Sequence, residues 1–161
     1  MREMIDYCVG GVRRSLAKGE ALIHEGSHTG HLYVLIEGQI EVSRGDTVVA
    51  VLSEPGAVLG EMSVLLERPH TATVRAGSDS IVYAFEDAAA FLRDHPAAAL
   101  LIARLLAQRL NVATTYLADI MQQYAGHGTH LAMVGDVLQS MINLPPMQVS
   151  PGSDRQSDPR T

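Results

Sequence analysis

Residues 59–76 read L-G-E-M-S-V-L-L-E-R-P-H-T-A-T-V-R-A, and this stretch decides how the rest of the chain is interpreted. Gly60 opens a short apolar excursion that predicts one turn of helix, after which the chain returns as a strand at 71–74. A glycine ahead of a single helical turn leaves backbone N–H groups without partners, which suits an anion such as a phosphate. Glu61, at the start of that turn, can accept hydrogen bonds from a sugar hydroxyl.

The surrounding residues 19–85 have the residue pattern of a β-protein. Gly38 and Gly45-Asp46 mark tight turns, where a positive φ is needed. Regular spacing of strands and turns is typical of a β-sandwich or barrel. Short runs rich in Val, Ile, Leu, Tyr and Thr, punctuated by Gly and Pro, predict strands at 21–24, 32–36, 39–43, 47–52, 71–76 and 81–85.

Helical patterns flank this β region. Residues 1–16 predict a short helix interrupted by Gly10-Gly11. Glu86-Asp87 begin a second short helix, and Pro96 suits the first turn of a long helix that extends to residue 124. Apolar residues recur along this helix at steps of three and four and form one stripe, which indicates either a dimer interface or packing on the helix's own domain. The residues of the stripe are Ile102, Leu106, Leu110, Ala113, Leu117, Ile120 and Tyr124.

Several short motifs occur in a recognisable order. They are Lys18-Gly19-Glu20, Glu25-Gly26, Leu32-Tyr33-Val34-Leu35, Glu37-Gly38 and Pro55-Gly56 followed by Gly60-Glu61. Together they resemble the cyclic nucleotide-binding domain family, typified by the cyclic AMP receptor of bacteria. The resemblance covers residues 12–124 and implies a mainly β fold with helices (α+β), in which a double-stranded β-roll or jelly-roll precedes a long C-terminal helix. Residues 125–144 predict a short extra amphipathic helix, and the Pro- and Ser-rich residues 145–161 predict a disordered tail.

The resemblance also implies roles within residues 59–76. In the family, backbone N–H groups and an Arg bind the phosphate, and a carboxylate binds the ribose 2′-hydroxyl. Here His70 occupies the place of that Arg. In some members a hydroxyl residue of the long helix reaches the base from the partner subunit. The ligand-binding residues implied in this way are Gly60, Met62 and Ser63 for the phosphate, Glu61 for the ribose, His70 with the small residues Thr71 and Ala72, and Thr114 for the base.

The residue His70 leaves three outcomes open. Neutral imidazole offers one N–H and no charge, whereas protonated imidazole can replace part of an Arg. The pocket is therefore weakened, retuned to another anion, or unused. Two implied residues also have simpler explanations, since Ser63 can cap the short helix and Thr114 can bond back to its own helix. Neither Arg68 nor Arg75 can be placed from the sequence.

Composition excludes several classes of protein. The net charge is −6, Lys18 is the only lysine, and no basic helix-turn-helix follows the long helix, so we expect no DNA binding. Cys8 is the only cysteine, which fits a reducing compartment, and no signal peptide or membrane span is predicted. We therefore expect a cytoplasmic protein without a membrane partner.

Catalytic motifs are equally scarce. A P-loop, a Ser nucleophile elbow and HExxH are all missing, and the run from His24 to His28 fails the H-x-H spacing of cupin metal sites. We expect no enzyme, no metal and no cofactor, with cyclic AMP or cyclic GMP as the ligand. The leading interpretation is a stand-alone dimeric nucleotide sensor that acts on a partner protein. The alternative is a degenerate member that binds no nucleotide and serves as a dimeric scaffold, and a cupin-like enzyme is a third reading that the failed motif disfavours.

Overall fold

Eight strands form two four-stranded antiparallel sheets in the computed structural model, which describes residues 2–123. The first sheet has the order β1-β8-β3-β6, and the second has the order β2-β7-β4-β5. This architecture confirms the β-roll expected from the sequence. The strands are β1 Val12–Leu16, β2 Ala21–Ile23, β3 Leu32–Glu37, β4 Ile40–Arg44, β5 Thr47–Leu52, β6 Val58–Leu59, β7 Thr73–Ala76 and β8 Ser80–Phe85.

Both faces of the first sheet are covered, and β3 shows why its sequence is apolar throughout. Tyr33 and Leu35 point into the core between the two sheets, together with Ile40 of β4 and Val74 of β7. Leu32 and Val34 point the other way, into a second core built with the helices. Because successive strand residues face opposite sides, a strand buried on both faces needs a continuous apolar run.

The second core is formed by a 3₁₀ helix, Arg2–Tyr7, and by the helices α2 Ala88–Asp94 and α3 Pro96–Gln123. Asp87 caps α2, since its side chain accepts a hydrogen bond from Ala90 N at 2.9 Å. Phe85 of β8 stacks on Phe91 of α2 with ring centroids 4.0 Å apart. Buried members of this core include Met4, Cys8, Val58, Ala88, Ala98 and Ile102.

Two strands were not predicted. The segment Val12–Leu16 was expected to be helical but forms β1, which pairs with β8 at the edge of the sheet. Four of its five residues are exposed, so it lacks the apolar alternation that marks a half-buried strand. The other missed strand, β6, has two residues and is too short to give a periodic signal.

The chain divides into two compact units, Met1–Gln108 and Arg109–Thr161, and the boundary falls within α3. In the first unit Ile102 is buried and Leu106 is half-buried. In the second unit Leu110 is exposed and Leu117 is half-buried. Tyr124, the predicted helix at 125–144 and the predicted tail at 145–161 lie outside the described residues.

The helix α3 is long and apolar enough, by length and composition alone, to cross a membrane, since an 18-residue stretch of it has a mean hydropathy of 1.2. The first turns of α3 are apolar for another reason, since Ala98 and Ile102 are buried in the second core. Arg104 and Arg109 follow within the same helix.

Candidate functional site

Gly60 makes the corner between β6 and the short helix α1, Glu61–Leu66. It has a φ of 87°, a left-handed conformation that favours glycine. A Cβ at this position would lie 2.6 Å from the carbonyl oxygen of His31 and 3.6 Å from Cε1 of His70. The corner therefore requires glycine for two reasons: its backbone has a positive φ, and the neighbouring atoms leave no space for a Cβ.

The first turn of α1 has no side-chain cap at its N-terminus. Backbone N–H groups in a first helical turn find no acceptor within the helix, so this turn presents donors suited to an anion. Glu61 and Ser63 are buried, whereas Met62 is 47% exposed. Buried polar side chains are unusual, and they occur where hydrogen bonds or a ligand compensate them. Glu61 has interaction partners within the chain.

The Ser63 side chain closes the far end of α1 instead of capping its start. Its Oγ donates a hydrogen bond to the carbonyl oxygen of Arg68, and Arg68 N donates to Ser63 O at 3.2 Å. The side chain thus fixes the turn that leads from α1 towards His70. The phosphate role predicted for Ser63 concerns its backbone N–H, which this arrangement does not use.

His70 is buried, with 6% of its surface exposed. It makes three hydrogen bonds to the loop between β2 and β3. Its Nε2 lies 2.9 Å from Thr29 Oγ1. Its backbone N–H donates to Ser27 O at 2.8 Å, and its carbonyl accepts from Gly26 N at 2.8 Å. The position that the family fills with Arg therefore also anchors this loop.

The environment of His70 disfavours a charged imidazole. Burial lowers the pKa of His70 from its ordinary value, and the nearby charges of His28 and His31 lower that pKa further. His31 is itself positioned by Tyr33, whose hydroxyl lies 3.1 Å from His31 Nδ1. In the absence of a ligand, His70 is thus a neutral residue near neutral pH and does not supply the positive charge of an Arg.

The remaining predicted residues are distributed around this turn and along α3. Thr71 is exposed and Ala72 is half-buried. Arg75 is exposed on β7, between two buried neighbours, so its side chain faces away from the core. Thr114 lies in the second unit, where its hydroxyl donates to Leu110 O at 2.9 Å and Asn111 O at 3.0 Å. Its predicted contact with a base stays a prediction.

Sequence reasoning missed the contribution of the loop between β2 and β3. For its histidines the sequence favoured turn and surface positions over a metal site, and among residues 2–123 no group of three or more metal-ligating side chains is arranged to hold an ion. Thr29 was not considered at all. The signal that could have found it is the sequence E-G-S-H-T-G-H at 25–31, because a polar, glycine-rich loop with several histidines is unusual between buried strands.

A cavity of about 230 Å³ lies away from this turn, against the 3₁₀ helix and the first half of α3. It belongs to the second core rather than to residues 59–76, which we call the cassette. Its lining residues are Glu3, Met4, Val58, Leu101, Ile102, Arg104, Leu105 and Gln108.

Comparison with known proteins identifies the family. Residues 13–95 match the family model of the cyclic nucleotide-binding domain. A cyclic AMP receptor protein from Thermus thermophilus is 33% identical over 107 residues, which is 63% of this chain. The chain spans only about half of that relative, since the match covers 50% of its length.

Solved structures share the fold. The crystal structure of the Thermus thermophilus catabolite activator protein is 23% identical and matches 88% of this chain and 82% of its own, with a TM-score of 0.63. The N-terminal domain of a transcriptional regulator from Streptomyces coelicolor A3(2) is 28% identical and matches 70% of this chain and 86% of its own, with a TM-score of 0.52. On the match to the family model, which spans the β-roll and the cassette, the chain belongs to the cyclic nucleotide-binding domain family.

Proposed function

We propose that this chain is a cyclic nucleotide sensor, with cyclic AMP or cyclic GMP as its ligand and no catalytic activity of its own. The observation that supports this function best is the corner at Gly60, where a tightly packed glycine is followed directly by the buried carboxylate of Glu61. Backbone N–H groups of Gly60, Met62 and Ser63 bind the phosphate, and Glu61 accepts a hydrogen bond from the ribose 2′-hydroxyl. Thr71 and Ala72 are the small residues that follow His70 in this site.

The proposed output is a change at α3. Ligand that settles into the cassette alters how the helix is presented to a second copy or to a partner protein. Thr114 of a second copy contacts the base in this scheme. Large apolar side chains exposed on α3, such as Leu110 and Tyr116, provide a surface suited to protein association. The net charge of −6 favours a protein partner over nucleic acid, and we place the sensor in the cytoplasm.

Calorimetric titration with cyclic AMP and with cyclic GMP tests the binding function directly. Glu61→Gln keeps the size of the side chain but removes its charge, so it should weaken binding by about 10- to 150-fold, the range for a hydrogen bond to a charged acceptor. Glu61→Ala should weaken binding at least as much. Glu54→Ala is the matched control, because Glu54 is an exposed acid outside the cassette and its loss should leave binding unchanged.

One observation favours the alternative function, a dimeric scaffold that binds no nucleotide. His70 is buried, and Thr29 already occupies one of its ring nitrogens. If neither nucleotide binds to the native chain or to His70→Arg, the cassette has lost its ligand and the scaffold function is the correct one.

A further inference from the structure

We propose that nucleotide binding at this site is coupled to the uptake of one proton by His70, so that the sensor responds to pH as well as to its ligand. This inference rests on the proposed function. It assigns to His70 the charge that the family obtains from an Arg, and it makes that charge conditional on the ligand.

The first step is the position of the imidazole. His70 Cε1 would lie 3.6 Å from a Cβ on Gly60, so the ring packs against the corner that begins α1. Cε1 stands between the two ring nitrogens, and the edge of the ring nearest the corner is therefore its polar edge. A phosphate held at the start of α1 lies beside this edge.

The second step is that Thr29 accommodates both protonation states. A hydroxyl can donate to Nε2 when that nitrogen is unprotonated and can accept from it when it carries a proton. The bond of 2.9 Å between Thr29 Oγ1 and Nε2 therefore survives protonation by rotation of one hydroxyl. Protonation of the buried ring therefore keeps this hydrogen bond.

The third step concerns the charges around the ring. The loop between β2 and β3 contributes His28 and His31, which disfavour a proton on His70. The segment that leads from the corner to His70 carries the carboxylate of Glu61 and the permanently charged Arg68. A cyclic phosphate brings a negative charge into this group, and a nearby negative charge raises the pKa of a histidine.

The fourth step is that the ligand itself does not titrate. A cyclic phosphodiester remains a single anion throughout the neutral range, so a proton taken up on binding must go to the protein. Among residues 2–123 His70 is the buried histidine and its ring packs against the corner, so its charge depends on compensation by an anion.

The test counts protons during binding. Calorimetric titration of the native chain with cyclic AMP, and in parallel with cyclic GMP, is run near pH 7 in Tris and in PIPES, which differ in ionisation enthalpy. The dependence of the observed heat on the buffer gives the number of protons exchanged. We expect uptake approaching one proton, with affinity falling by up to about tenfold per pH unit above neutrality.

Three variants locate the proton. His70→Arg should bind about 10- to 150-fold more tightly at neutral pH, the range for a charge-assisted bond, and without proton uptake. His70→Gln should bind weakly with a flat pH profile. His28→Gln is the matched control, because it removes an exposed imidazole from the same cluster and should retain the proton uptake.

The outcomes separate this inference from the function on which it rests. Binding without proton uptake, or uptake that persists in His70→Gln, overturns the inference and leaves the nucleotide sensor standing. Tight binding at about pH 8, well above the ordinary imidazole pKa, also overturns it and points to another cation such as Arg68. No binding by either the native chain or His70→Arg overturns both.

Discussion

The cassette and the helix α3 depart from the usual distribution of side chains in opposite directions. In the cassette, the polar side chains of Glu61, Ser63 and His70 are buried. Along α3, large apolar side chains are exposed, among them Leu110 at 47% and Tyr116 at 66%. Buried polar groups and exposed apolar groups are the informative exceptions in a folded chain, because each has a cost that some other interaction must offset.

The difference indicates what kind of interaction each region suits. Buried polar side chains held in fixed positions, as Ser63 and His70 are by hydrogen bonds within the chain, suit a small, polar ligand. Exposed apolar groups on one helix suit a protein surface. The two regions thus correspond to the input and the output of the proposed sensor, and each can be disrupted separately.

The largest expected effect comes from filling the corner of the cassette. Gly60→Ala should abolish detectable nucleotide binding and destabilise the fold, because the added Cβ meets the carbonyl oxygen of His31 at 2.6 Å. Gly19→Ala is its matched control, since Gly19 also has a φ of 87° but nothing lies within 4 Å of its Cβ position.

Chemical denaturation of the two variants isolates the contact from the backbone strain. Gly19→Ala should lower the free energy of unfolding only by the cost of a left-handed residue, about 1–2 kcal/mol. Gly60→Ala should lower the free energy of unfolding further, because its Cβ must also displace the loop that carries His31. Equal losses in the two variants would mean that the close packing at the corner is not needed.

The next effect concerns the helix surface. Leu110→Glu combined with Leu117→Glu should convert the proposed dimer to a monomer, because an unpaired charge buried in an interface costs roughly 3–5 kcal/mol. Both residues lie beyond Gln108, in the second unit, so the β-roll should stay folded. Static light scattering measures the mass of each form.

A matched control places the same charges on the opposite face of α3. Thr115 and Gln122 are exposed and lie about half a turn of helix away from the stripe. Thr115→Glu combined with Gln122→Glu should leave the dimer intact. A native chain that scatters as a monomer would remove the dimer from the proposed function, although nucleotide binding could still stand.

The same contrast explains which parts of the molecule could be predicted from the sequence. The strands with strong apolar patterns, such as Thr47–Leu52, were predicted with their observed bounds. The edge strand Val12–Leu16 was not, because most of its exposed residues are polar. Its pairing with β8 also depends on a distant segment, since the partners Arg13 and Tyr83 lie 70 positions apart in the sequence.

The candidate site was predictable to the extent that it is contiguous. Gly60, Glu61 and His70 fall within one stretch of chain, and the fold places the ring of His70 beside Gly60. Thr29 is 41 positions from His70 in sequence, and only the fold brings the two together. The burial that sets the charge of His70 is likewise a property of the folded chain, and no local pattern encodes it.

The smallest expected effect is a pH dependence of stability in the absence of ligand. The folded state lowers the pKa of His70 through burial and through His28 and His31. Below the ordinary histidine pKa of about 6.5 the unfolded chain therefore binds a proton that the folded chain resists, and stability falls as the pH falls. His70→Gln should remove this part of the decline, whereas His28→Gln should remove only the smaller share that the charge of His28 contributes.

A saturating nucleotide should reverse the sign of that dependence. If the bound phosphate raises the pKa of His70 above its unfolded value, the folded complex binds the proton more tightly, and its stability is lost as the pH rises instead of as it falls. Urea denaturation across pH 5–8, with and without cyclic AMP, compares the two slopes in the native chain and in His70→Gln. Parallel pH profiles for the native chain and His70→Gln in the absence of ligand would show that His70 is not a buried titrating group. A reversal that appears only in the native chain would identify His70 as the residue through which the ligand and the proton are coupled.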